Sequence, residues 1–212
     1  GLDVSLVIDL SGSMDDDFKL DLACKYTKTL YKSLESLPNV ELKAWVFSGM
    51  VSDHITPVVE VGYSRLSTIV PTKEAVFTHT WNAITHVANK MRGSSGKKLM
   101  IVLTDGPPYT ATMHLALYKQ SAHYDGPALG LANAIRATRN AVDYSFRTGT
   151  KVYGIQIGIG MPDSAKYQKQ MQDDMCQMFG LKKNWVIVTS MDDAKKHLID
   201  EVVKGVYRTL VS

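Results

Sequence analysis

Short apolar runs alternate along this chain with longer stretches whose apolar residues recur at helical spacing. Val4 to Ile8 is the first run, and it ends in Asp9. The loop SGSMDDD separates it from a helical pattern that begins near Phe18, in which Leu20, Ala23, Cys24, Thr27, Leu30, Tyr31 and Leu34 share a face before Pro38-Asn39 stops the run. Leu42 to Phe47 predicts a second strand. His54 to Val61 predicts a short third strand at an edge, since Pro57 would remove a ladder donor from any central position. Trp81 to Met91 is helical in spacing and ends at Gly93. Lys98 to Thr104 then carries the run LMIVLT, apolar on both faces as a central strand covered by helices must be. Helices are predicted over Pro127 to Phe146, Ser164 to Phe179 and Asp192 to Leu210, and strands over Lys151 to Ile157 and Trp185 to Thr189.

Strand and helix alternate from end to end. That rhythm predicts an open, doubly wound α/β fold: a mainly parallel six-stranded sheet with one short antiparallel edge strand, right-handed crossovers and helices on both faces. Residues 1–212 are expected to form a single domain, because 212 residues with 45% hydrophobic content suffice for one full core. The chain lacks an initial Met and enters a strand almost at once, so a domain excised from a longer protein is expected.

Charge excludes one class of partner. The formal excess of +3 comes from 24 basic against 21 acidic residues, with the basic ones scattered, so nucleic acid is not indicated. No apolar run approaches the roughly 20 residues that cross a bilayer. The two cysteines, Cys24 and Cys176, are too few for a disulfide scaffold; they are expected to be reduced core thiols, which points to the cytoplasm.

In an open parallel sheet, ligands bind beyond the carboxyl ends of the strands where the strand order reverses. The polar residues of this chain cluster at such positions. Asp9, Ser11 and Ser13 leave the first strand as a carboxylate and two hydroxyls at alternate positions, Asp105 leaves the LMIVLT strand, and Thr78 ends a loop just before a helix. All five are hard oxygen donors, which suit Mg²⁺ or Mn²⁺ rather than zinc or copper. Gly12 lets the loop turn tightly between the serines. Thr80 is expected to cap the following helix. Asp15, Asp16 and Asp17 read as acidic residues favourable to a first helical turn rather than as a second metal site.

The segment DLSGSM from Asp9 to Met14 resembles the Asp-x-Ser-x-Ser signature of von Willebrand factor A and integrin inserted domains, the metal-ion-dependent adhesion site. THTWNAI from Thr78 is similar to the family's threonine loop and helix, and LTDG from Leu103 to its strand-end Asp, in the family's order. The resemblance implies a Rossmann-like fold and a non-enzymatic binding module. It assigns Asp9, Ser11, Ser13, Thr78 and Asp105 to a metal whose open position takes an acidic side chain of a partner protein. DLSGSM, TDGPP and the IGIG of Ile157 to Gly160 look most like intracellular members such as the von Willebrand A region of a cobaltochelatase subunit, which implies an AAA+ ATPase as partner. The resemblance further implies that the last helix shifts when the metal's ligands change.

Other chemistries fit less well. A Mg²⁺-dependent phosphohydrolase using Asp9 as nucleophile would want a second acid two residues on, where this chain has Ser11. SGSM lacks the Gly-x-Ser-x-Gly elbow of serine hydrolases, and no Gly-x-Gly-x-x-Gly follows the first strand. The loop from Tyr109 to Gly126, with His114, Tyr118, His123 and Tyr124, reads equally as a recognition surface or as a packed loop. Met171, Met175, Met178 and Phe179 at helical spacing, together with Trp45 and Trp185 in strands, read as core, whereas Trp81 is placed to support the site.

Overall fold

The computed structural model describes residues 1–35, 37–47, 58–69, 78–108, 127–160, 164–190 and 192. Six strands form one sheet: β1 (Leu2–Asp9), β2 (Val40–Phe47), β3 (Val58–Val61), β4 (Lys97–Thr104), β5 (Thr150–Ile157) and β6 (Trp185–Val188), in the spatial order β3-β2-β1-β4-β5-β6. Every neighbouring pair is parallel except β2 with β3, which is antiparallel and lies at the edge. The described helices of at least two turns are α1 (Lys19–Glu35), α2 (Thr80–Met91), α3 (Pro127–Arg147) and α4 (Ala165–Phe179). The doubly wound sheet with its antiparallel edge strand therefore forms as the alternation of patterns predicts. The 109–126 loop, positions 54–57 of the expected third strand and the helix expected at 192–210 fall outside the described residues, apart from Asp192, which is helical.

The sheet separates two apolar layers. Val4, Leu6 and Ile8 of β1 face α1 with Leu99, Ile101 and Leu103 of β4, while Val7, Met100 and Val102 face the other way with residues of α2, α3 and α4. Alternate side chains point to opposite faces of a strand, so a strand covered on both sides must be apolar at nearly every position. β4 meets this over Leu99 to Leu103 and β1 at Leu2, Val4, Leu6, Val7 and Ile8, all buried. Burying each such Val, Leu or Ile contributes roughly 1.5–3 kcal/mol, which makes these two strands the anchor of the sheet.

Two strands start earlier than their apolar runs suggest. Leu2 pairs with Val40, and both are fixed by neighbours: the Leu2 N–H donates to the Asn39 carbonyl at 2.8 Å, and Asn39 takes a left-handed φ of 65° that turns the chain into β2. The loop after β1 is also more ordered than a connection, since Gly12–Phe18 winds as a 3-10 helix directly into α1.

The core expectations hold for Met171, Met175, Met178, Phe179, Trp45 and Trp185, all buried. They fail at one thiol: both cysteines are free and Cys24 is buried, but Cys176 is exposed. The residues of α4 in the α2-side core are Met175, Met178 and Phe179, and the residue after Met175 is rotated about 100° away from that face. At Gly154 in β5 a side chain has no room, because a Cβ there would lie 2.6 Å from the Phe179 ring.

Candidate functional site

The chain runs from β1 to β2 and β3 on one side, then returns to place β4 on the other side of β1, so the order reverses between β1 and β4. Asp9 is the last residue of β1 and Asp105 the first after β4, both at the carboxyl ends of their strands. Parallel pairing of Ile8 with Leu103 brings these ends side by side.

Local chemistry then shapes the loop. The Asp9 Oδ1 accepts the Ser11 N–H at 2.7 Å, a side-chain turn two residues long, and the Met14 N–H donates to the Ser11 carbonyl at 2.9 Å. Met14 is wholly buried in the α1-side core, which pins the loop from below. Asp9 and Ser11 are buried beneath the loop, while Gly12 and Ser13 are exposed, so the cluster opens toward solvent through Ser13.

Four of the five expected site residues form one connected cluster. Ser11 Oγ lies 3.3 Å from Ser13 Oγ, and Ser13 Oγ donates to Asp105 Oδ1 at 3.0 Å. The other Asp9 oxygen, Oδ2, accepts the Thr104 hydroxyl at 2.9 Å. Thr78, the fifth, is buried at the foot of α2, which packs on β1 and β4, but it is not in this hydrogen-bonded cluster. Thr80 does not cap the helix as expected. α2 starts at Thr80 with His79 in the cap position and no side-chain capping bond, so the Thr80 side chain lies one residue too far into the helix to cap it. Its hydroxyl is buried with no partner among the described residues. Trp81 packs on the α2-side core with its ring 4.9 Å from that of His79.

Three residues of the cluster escaped the sequence reading. Thr104 orients Asp9. Gln156, buried on β5, donates from Nε2 to the Asp105 carbonyl at 3.4 Å and leaves its Oε1 without a partner among the described residues. Lys19, first residue of α1, is 4% exposed, and its ammonium donates to Asp105 Oδ2 at 3.1 Å and to the Ser13 carbonyl at 3.4 Å. Thr104 adjoins Asp105 in the LTDG segment, which was a usable signal. Lys19 gave none, because a lysine at the start of an amphipathic helix reads as solvated.

Electrostatically the site is a buried acidic pair with one built-in cation. Burial pushes the Asp9 carboxyl up to about 7, and the nearby Asp105 charge adds to that rise, while hydrogen bonds from Ser11 and Thr104 oppose it. A group so disfavoured as a bare anion is one that added positive charge would relieve.

The donor set fits a divalent cation. With metal–oxygen distances of about 2.1 Å, adjacent ligands of an octahedral Mg²⁺ stand roughly 3.0 Å apart. The 3.3 Å between the serine hydroxyls and the 3.0 Å from Ser13 to Asp105 are close to that spacing. The donors are all oxygens, and one side is open to solvent.

The model of the von Willebrand factor type A domain matches residues 3–179. The chain belongs to this family. Solved structures similar to this VWA chain share its fold at low identity. The pilus adhesin SpaC from Lactobacillus rhamnosus GG has a TM-score of 0.68 at 16% identity, covering 96% of this chain and 30% of its own. The PilB minor pilin from Streptococcus sanguinis scores 0.64 at 16% identity, covering 99% and 61%. The vWF domain of the type V pili tip protein Mfa5 from Porphyromonas gingivalis scores 0.66 at 12% identity, covering 97% and 95%. The VWA chain thus spans under a third of SpaC and about three fifths of PilB. No curated protein matches its sequence.

Proposed function

We propose that this VWA domain is a divalent-metal-dependent protein-binding module rather than an enzyme, with Mg²⁺ or Mn²⁺ held by Ser11 and Ser13 directly and by Asp9, Asp105 and Thr78 directly or through water. The carrying observation is the oxygen cluster at the reversal of strand order, with Ser11, Ser13 and Asp105 linked at ligand-like spacings and opening to solvent through Ser13. When bound, the ion supplies a Lewis-acidic position for a carboxylate oxygen of a partner protein.

The chain's own residues prepare that position. Thr104 and the Ser11 amide hold both oxygens of Asp9, and Ser13 and Lys19 hold both oxygens of Asp105, so the carboxylates are oriented before a cation arrives. The Ser13 hydroxyl faces the open side, and with Lys19 beside the two carboxylates a bound divalent ion would leave the site net positive toward an anionic partner. The same geometry argues against the phosphohydrolase reading: Asp9 is fully buried with both oxygens engaged, a poor presentation for a nucleophile. The partner is proposed to be a protein that presents an acidic side chain. The AAA+ ATPase implied by the cobaltochelatase-like motifs is one such class, and a pilus-type adhesive role, as the similar structures are named, is another.

Isothermal titration of the chelator-treated chain with MgCl₂ and MnCl₂, beside Asp9→Ala, tests the reading. Binding of one ion that is lost in Asp9→Ala, with the fold intact by circular dichroism, is expected. Absence of binding in the folded chain, or equal binding by Asp9→Ala, would contradict it.

A further inference from the structure

The buried charges of the cluster do not balance in an ordinary way for a cation site. A site built only to retain a divalent ion gains most from uncompensated carboxylates, yet Asp105 already holds a permanent internal cation. Lys19 and Asp105 are 6% and 7% exposed at their side chains, and the ammonium bridges Asp105 Oδ2 and the Ser13 carbonyl. It therefore touches the backbone of one proposed ligand and the second carboxylate oxygen of another. α1 begins at Lys19, directly after the 3-10 turn that carries Ser13, and the lysine is buried there.

We infer that Lys19 tunes this site, weakening its hold on the metal ion and keeping Asp105 from giving its second oxygen to that ion, so that a bound ion retains its appetite for an external carboxylate. The inference rests on the metal-binding reading above. Two carboxylates alone would cancel a divalent charge; with Lys19 the loaded site keeps a net charge of +1, and an anionic side chain completes it. The same ammonium neutralises one buried carboxylate when no metal is present, so the domain need not unfold to lose its ion. Lys19 is thus a positioning residue that sets affinity and selectivity, and it makes no contact with the partner.

Charges a few ångströms apart in a largely desolvated site interact strongly, so removing the lysine charge is expected to tighten Mg²⁺ binding on the order of tenfold or more. Lys19→Gln keeps a hydrogen-bond donor without charge, and Lys19→Arg keeps the charge. The test is titration of MgCl₂ into the chelator-treated wild-type chain, both variants and Asp9→Ala, with thermal melts to verify folding. Expected are Asp9-dependent binding in wild type, a Kd about tenfold lower in Lys19→Gln, and a Kd within about threefold of wild type in Lys19→Arg. Wild-type binding that depends on Asp9, with Lys19→Gln binding equally or less tightly, would overturn the role of Lys19 and leave the metal site standing. No binding in either wild type or Lys19→Gln would overturn the metal site itself. Should Lys19→Gln not fold, Lys19→Met with Asp105→Asn is compared with Asp105→Asn alone: a lower Mg²⁺ Kd in the double variant is expected, and an equal or higher one would overturn the role of Lys19.

Discussion

The Lys19–Asp105 pair allows a quantitative test that needs no metal. Its two charges are almost wholly removed from water, whereas the Lys25–Asp21 pair one turn further along α1 is 68% and 56% exposed. Removing one partner of a buried pair leaves the other charge uncompensated and typically costs about 3–5 kcal/mol, while an exposed pair contributes about 0–1 kcal/mol. In chelator-treated protein, Asp105→Leu and Lys19→Met are each expected to lose about 3–5 kcal/mol, and Lys25→Ala under about 1 kcal/mol. For a chain of this size 1 kcal/mol moves Tm by roughly 2–4 °C, so the single variants should melt about 6–20 °C lower. Exchanging both partners for apolar residues, Lys19→Met with Asp105→Leu, removes the charge problem and should recover most of the loss. Urea denaturation of the four proteins gives the cycle. A cost below about 1 kcal/mol for both single variants, or additive losses in the double variant, would refute the claim that these charges are buried and dependent on each other.

Three further outcomes follow from the packing. Met14→Ala should lower stability by about 2–5 kcal/mol in urea titration, and it should also weaken Mg²⁺ binding, because this wholly buried side chain pins the Ser11–Ser13 turn. Gly154→Ala places a methyl 2.6 Å from a ring carbon of buried Phe179 and should cost about 1–3 kcal/mol by thermal melt; a neutral result would mean the ring moves freely. Burial raises the Cys24 thiol to about 11, so at pH 8 its thiolate fraction is on the order of one in a thousand. In the native chain a thiol reagent should therefore modify exposed Cys176 promptly and Cys24 only on unfolding, which mass spectrometry after digestion would show; rapid double labelling would contradict the burial.

The fold was legible because two periodicities dominate this chain. Runs such as LMIVLT are apolar on both faces, which few helices of that length would be, and the amphipathic helices between them bury one face only. The strand-end carboxylates could be read as well, since an Asp that closes an apolar strand stands at the carboxyl edge of the sheet, where ligands bind. What the sequence hid is long-range. Lys19 is buried by an Asp 86 residues away, and nothing near it in the chain announces that pairing. Thr80 could not be told from a capping residue without knowing that α2 starts on Thr80 itself. Cys176 was misplaced by one position on a helix, where a single step turns a side chain from core to solvent.

A metal held in this cluster is expected to keep a position that an external carboxylate can fill. Water-proton relaxation of the Mn²⁺-loaded chain, titrated with glutarate as the carboxylate probe, measures that position directly. Expected are a strong enhancement from exchanging metal-bound water, a fall as glutarate displaces that water, and neither signal in Asp9→Ala. Mn²⁺ retained by Asp9 but with relaxation unmoved by glutarate would contradict it.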